Sequence, residues 1–161
     1  MGVEIERKFL VHEDLLPPLG APKRLEQGYV SHEPVVRVRL VADASAPYEA
    51  WLTIKGKGTL SRAEFEYAIP PADAKEILAM CARPIEKNRY LVKHGAHTWE
   101  VDEFFGALAG LWVAEIELDR EDEPFETPPW IARDVTEDAR YTNSALAQHG
   151  LPPRDPRDPR A

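Results

Sequence analysis

The sequence predicts a mainly β protein of the α+β class, a closed eight-stranded antiparallel barrel with a charged interior and helices packed outside. Three observations predict it. Eight segments rich in β-branched and aromatic residues follow one another between residues 2 and 119. Within them, charged residues fall two apart and so share one face of each strand. Apolar residues hold most of the positions between. Eight such strands can close on themselves and leave no exposed edge.

The expected strands are residues 2–10, 25–31, 35–42, 48–56, 61–69, 87–93, 98–104 and 113–119. Gly56-Lys57-Gly58-Thr59 and His94-Gly95-Ala96 read as hairpin turns. A first helix is expected from Pro71 to Ala82, with Ile77, Leu78 and Cys81 on one face. Residues 120–126 suggest a short second helix. Thr136 is a candidate cap for a third, from Glu137 to His149, with Gly150 as its stop. Residues 1–150 form one domain in this reading. Residues 151–161 carry the run RDPRDPR, whose prolines and alternating charges suit a disordered tail.

The charge pattern is the informative feature. Glu4, Glu6 and Lys8 alternate, as do Arg37 and Arg39, Thr53 and Lys55, and Lys87 and Arg89. Arg62, Glu64 and Glu66 continue the rule, with Glu100 and Asp102, and Glu115 and Glu117. Two sheets can be built from such strands. In one, the apolar face is the core and the charged face meets water. In the other, the charges line the bore and helices cover an apolar outside. Arginine outnumbers lysine among the bases, and neighbours such as Arg37 and Arg39 repel unless an anion lies between them. With Glu100 left aside, burying the seven bases and seven acids without partners costs several kcal/mol per ion. An oxygen-rich anion would satisfy the bases, and hard divalent cations such as Mg²⁺ or Mn²⁺ would satisfy the paired acids.

Composition bounds the rest. The chain has 161 residues, 43% hydrophobic and 30% charged, with a formal net charge of −8. That balance argues against nonspecific nucleic-acid binding. No apolar run reaches the roughly 20 residues of a membrane helix. Cys81 is the only cysteine, expected as buried packing. A cytoplasmic protein without membrane partner, monomeric or homodimeric, is the expectation.

These segments resemble the CYTH superfamily, the triphosphate tunnel metalloenzymes. VEIERKF resembles the family's opening ExExK signature. The likeness continues through VRVRL, LTIK, SRAEFEY, EKNRY, EVDEF and AEIEL, and VTEDARYTNSALA is similar to the small bacterial branch, whose C-terminal helix packs near one tunnel mouth. The resemblance implies hydrolysis of inorganic triphosphate to pyrophosphate and phosphate with two divalent ions. Class IV adenylate cyclase and thiamine or nucleoside triphosphatase are alternatives, and a non-catalytic polyphosphate- or nucleotide-binding module is a third. It implies that Lys8, Arg37, Arg39, Lys55, Arg62, Lys87 and Arg89 hold phosphate oxygens. Glu4, Glu6 and Glu117 would hold one metal, Asp102 and Glu115 a second, with Glu64 or Glu66 near the water it activates; each of these two glutamates could instead pair with an arginine. Asp102, Glu64 and Glu66 are the expected catalytic acids.

Other motifs carry less. The stretch Gly56–Thr59 lacks the spacing of a P-loop. His94 and His97 read as solvated residues flanking a turn. Tyr29 could face inward, and Tyr141 could reach the tunnel mouth or pin the last helix.

Overall fold

The computed structural model describes residues 2–159. Nine strands form: β1 (Gly2–Val11), β2 (Lys23–His32), β3 (Val35–Asp43), β4 (Ala46–Lys55), β5 (Ser61–Ala68), β6 (Ile85–His94), β7 (His97–Phe104), β8 (Trp112–Glu117) and β9 (Ile131–Asp134). Eight of them lie in the order β5-β4-β3-β2-β6-β7-β8-β1, and β1 pairs with β5 to close the barrel. Every pairing in the ring is antiparallel. The expected eight-stranded barrel is therefore present. The ninth strand, β9, lies outside that expectation. It pairs with Phe9–Val11, beyond the point where β1 leaves β5.

The apolar outside is covered in two patches. Helix α1 (Pro71–Met80) lays Ala74 and Leu78 on Val38, Leu40 and Ala50 of β3 and β4. Its end passes β2 so closely that a side chain at Gly28 would meet Cys81 Sγ at 2.7 Å. Cys81 itself gives its thiol to the Ile77 carbonyl at 3.4 Å, in keeping with packing. The second patch joins Phe9, Trp99, Val101, Ala114 and Ile116 under the segment that carries Phe125 and Trp130.

That segment corrects one expectation. Residues 120–122 bend and turn and residues 123–126 run on without regular structure, so no helix forms there. The chain stays open there so that Phe125 can meet Phe9 and Trp99 edge-on, at 6.2 and 5.7 Å. Glu123 fixes it, accepting from the Asp119 amide and pairing with His97 at 2.7 Å. His97 is thus a partnered residue rather than a solvated one.

The last helix is also shorter than expected. A single turn at Ala139–Tyr141 precedes α2 (Asn143–His149), and Thr142 separates them in an extended conformation. The cap is Thr142, which accepts from the Ala145 amide at 3.1 Å, and not Thr136. The Thr136 hydroxyl instead accepts from the Lys8 amide at 3.0 Å, on β1. Gly150 ends α2 with φ +77°, as its lack of a side chain permits. Asp158 of the tail is buried and accepts from Arg133 at 2.8 Å.

Inside, the barrel has two zones. Leu10, Ile85, Phe104 and Val113 have the same strand parity as the charged residues, yet they pack with Tyr141, Leu146 and Ala147 into an apolar cluster. This cluster fills one end of the bore. The charges occupy the rest.

Candidate active site

A cavity of about 820 Å³ opens inside the barrel. Lys8, Arg37, Arg39, Lys55, Arg62 and Arg89 line it, with Glu4, Glu6, Glu64, Glu66, Glu115 and Glu117. Strand parity alone brings these residues together, because alternate positions of a closed barrel point at one axis. Register places them further. Glu6 lies opposite Glu117 and Lys8 opposite Glu115 across β1 and β8. Arg37 lies between Tyr29 and Thr53, and Lys55 opposite Glu64.

Two expected residues, though of inward parity, are not on the cavity lining. Lys87 and Asp102 have no exposed surface. Lys87 Nζ donates to Asp102 Oδ2 at 2.6 Å. Arg89 also donates to Asp102, which leaves the carboxylate fully engaged. Glu100, outside the expected set, lines the cavity and pairs with Arg89. Its spacing from Asp102 is the signal that points to it. The α2 residues Asn143, Ser144 and Gln148 also line the cavity, and no strand spacing signals them. Gln27, fully buried on β2, carries no charge to flag it. Ser144 bonds His32 at 2.6 Å, and His32 stacks on Tyr29.

The bases are held in two ways. Glu4 takes Lys55 at 2.9 Å and Arg62 at 3.3 Å, and Lys8 approaches Glu115 at 3.7 Å. Arg37 and Arg39, by contrast, have neutral hydrogen-bond partners: Thr53 at 3.1 Å and Gln27 at 3.0 Å. Glu66 lies 3.8 Å from Arg37. The Arg37 Nε is buried with no partner among the described residues. Burial, and then the charges of Arg37 and Arg89, pull the Arg39 guanidinium down to about 9. An oxyanion placed here would relieve that repulsion and satisfy the orphaned N–H.

The acids show the opposite strain. Burial, then the charges of Glu115 and Glu4, push the Glu6 carboxyl well above its ordinary range. Burial works against Glu115 too, but Lys8, Arg89 and Lys87 outweigh it and hold that carboxyl well below the usual value. The two carboxyls are thus pushed in opposite directions. Glu64 and Glu117 are raised, chiefly by burial. Among the described residues no three acids are yet gathered as a ligand set; Glu4, for one, is drawn to Lys55 and Arg62. The donor chemistry nevertheless fits a hard divalent cation. Glu4, Glu6, Glu115 and Glu117 are oxygen donors on two adjacent strands, and a cation would relieve the crowding of their charges.

The profile of the CYTH domain matches residues 2–148. The chain is 46% identical over 154 residues to the inorganic triphosphatase of Acetivibrio thermocellus, covering 92% of this chain and 96% of that one. It is 38% identical to the inorganic triphosphatase of Nitrosomonas europaea, covering 89% and 96%. A crystal structure of the inorganic triphosphatase NE1496 superimposes with a TM-score of 0.63 at 34% identity, covering 96% of this chain and 99% of that one.

Proposed function

Because the chain belongs to the CYTH domain family, we propose that it is an inorganic triphosphatase, cleaving triphosphate to pyrophosphate and phosphate within the barrel. The crowding of Arg37, Arg39 and Arg89 beside a wall of carboxylates carries this reading. Two relatives of that activity, each matched over most of its length, support it.

The roles follow from the two kinds of holding. Arg37 and Arg39 keep their charge available and take phosphate oxygens. Lys8, Lys55, Arg62 and Arg89 exchange part of their carboxylate contacts for the substrate. Glu4, Glu6, Glu115 and Glu117 would hold two divalent ions, Mg²⁺ or Mn²⁺. Bound there, such ions neutralise phosphate charge and lower the pKa of a coordinated water. Glu64 and Glu66 lie on β5, on the other side of β1 from β8, and are the acids placed to orient that water. We assign Asp102 and Lys87 to the frame that aims Arg89. Phosphoryl transfer depends chiefly on positioning and charge neutralisation, which a rigid barrel supplies.

We place the enzyme in the cytoplasm, acting on a free small anion and not on nucleic acid, as monomer or homodimer. No helix among the described residues is long and apolar enough to cross a membrane. The deciding experiment offers inorganic triphosphate, ATP and thiamine triphosphate separately, with Mg²⁺ or Mn²⁺. Phosphate and pyrophosphate released fastest from inorganic triphosphate are the expected products. Cyclic AMP as the main product, or preference for either organic triphosphate, overturns the assignment.

A further inference from the structure

Four of the bases in the bore are shared out between two carboxylates. Lys55 and Arg62 rest on Glu4, and Lys87 and Arg89 rest on Asp102. Arg39 is held differently. Its Nε donates to Gln27 Oε1 at 3.0 Å from the facing position on β2. Gln27 has no exposed surface. Its amide nitrogen points to the Tyr29 hydroxyl at 3.4 Å, which turns the amide oxygen toward the guanidinium.

We propose that Gln27 is a positioning residue that orients Arg39 without neutralising it, and so reserves that stretch of the bore for phosphate oxygens. The inference rests on the triphosphatase reading and deepens it. A glutamate has the same length and shape and would hold Arg39 more tightly through a charge-assisted bond. In the free protein it would also ease the repulsion among Arg37, Arg39 and Arg89. It would do so by filling with protein charge the place meant for substrate charge. The amide thus gives up stability in the empty barrel to keep the site open to an anion. Arg37 is held less cleanly: Thr53 accepts from it at 3.1 Å, but Glu66 stands 3.8 Å away.

The test reads binding of inorganic triphosphate by calorimetry in chelator, together with thermal melting. The parent protein binds triphosphate without metal. Gln27→Glu lowers that affinity about tenfold or more while melting no lower than the parent. Gln27→Met, neutral and of similar volume, loses less than Gln27→Glu. A merely structural role would move melting and affinity down together. Parent-like affinity in Gln27→Glu, equal losses in the two variants, or no binding by the parent overturns the proposal. If Gln27→Glu does not accumulate folded, a cycle of Gln27→Met with Arg39→Met decides. The glutamine change adds no loss once Arg39 is gone, whereas additive losses sink the idea. Because binding is read without turnover, a parent that binds triphosphate but fails to cleave it counts against the enzyme assignment alone.

Discussion

Arg89 and Asp102 face each other across β6 and β7, and the guanidinium donates to both carboxylate oxygens, Nε to Oδ1 and Nη2 to Oδ2, each at 2.8 Å. Lys87 completes the group at 2.6 Å. Three charges are thus buried together, two bases on a single carboxylate, and the bore's geometry on that side depends on it.

Asp102→Asn leaves Lys87 buried without its counter-charge and Arg89 with Glu100 alone. Breaking a buried pair from one side costs about 3–5 kcal/mol, seen as a lower melting temperature at neutral pH. Burial raises the Asp102 carboxyl, but Arg89 and Lys87 outweigh it and bring it down to about 2. That lies below its unfolded value, roughly 3.9. The group therefore contributes stability above pH of about 4, and loses it as pH falls through about 2. Melting curves of parent and variant converge in that acid window. A gap unchanged across it removes Asp102 from this role.

The raised Glu6 carboxyl leads to a second expectation. A divalent cation taken up by these acids competes with protons, because the Glu6 carboxyl is raised in the free protein. Apparent Mg²⁺ affinity then rises with pH through the raised Glu6 value. Titration calorimetry in two buffers of different ionisation heat checks the release directly. Heats independent of buffer would mean that the ions bind elsewhere. Glu6→Gln removes the buffer dependence and weakens binding.

Gly28 provides a test that leaves the bore untouched. It faces outward on β2, where a new Cβ would lie 2.7 Å from Cys81 Sγ and 3.1 Å from Leu78 Cδ2. Gly28→Ala forces the end of α1 away and costs about 1–3 kcal/mol. Triphosphate turnover per folded molecule stays at the parent level. Unaltered melting would show that α1 yields freely there.

Most of the site is legible in the sequence because parity in a closed barrel is a strict rule. Glu4, Glu6 and Lys8 cannot share a strand face without sharing the bore. Two things are hidden. Leu10, Phe104, Ile85 and Val113 follow the same parity as the charges, and no spacing reveals that they meet Leu146 and close one end. Charge counts likewise place Asp102 with the metal acids, whereas burial under Lys87 and Arg89 takes it out of the cavity wall. The strand β9 leaves no mark because its four residues, Ile131–Asp134, are too few for an alternating pattern to show. Helix α2 begins late because Tyr141 is drawn into the apolar end and Thr142 must turn the chain.

Glu4 stands at the junction of the two halves of the site. It holds Lys55 and Arg62 and is lowered overall: burial raises it, but the charge of Lys55, with Arg62, outweighs that. It is thus ionised and able to turn from the bases to a cation once phosphate oxygens occupy them. Glu4→Gln keeps the shape and removes that option. Metal-dependent hydrolysis falls about a hundredfold or more, while triphosphate still binds in chelator, since losing a carboxylate leaves the pocket more positive. Turnover and calorimetry on the same preparation read the two halves separately. Parent-level turnover would release Glu4 from the metal set. Loss of anion binding together with turnover would mean that Glu4 serves chiefly to aim Lys55 and Arg62.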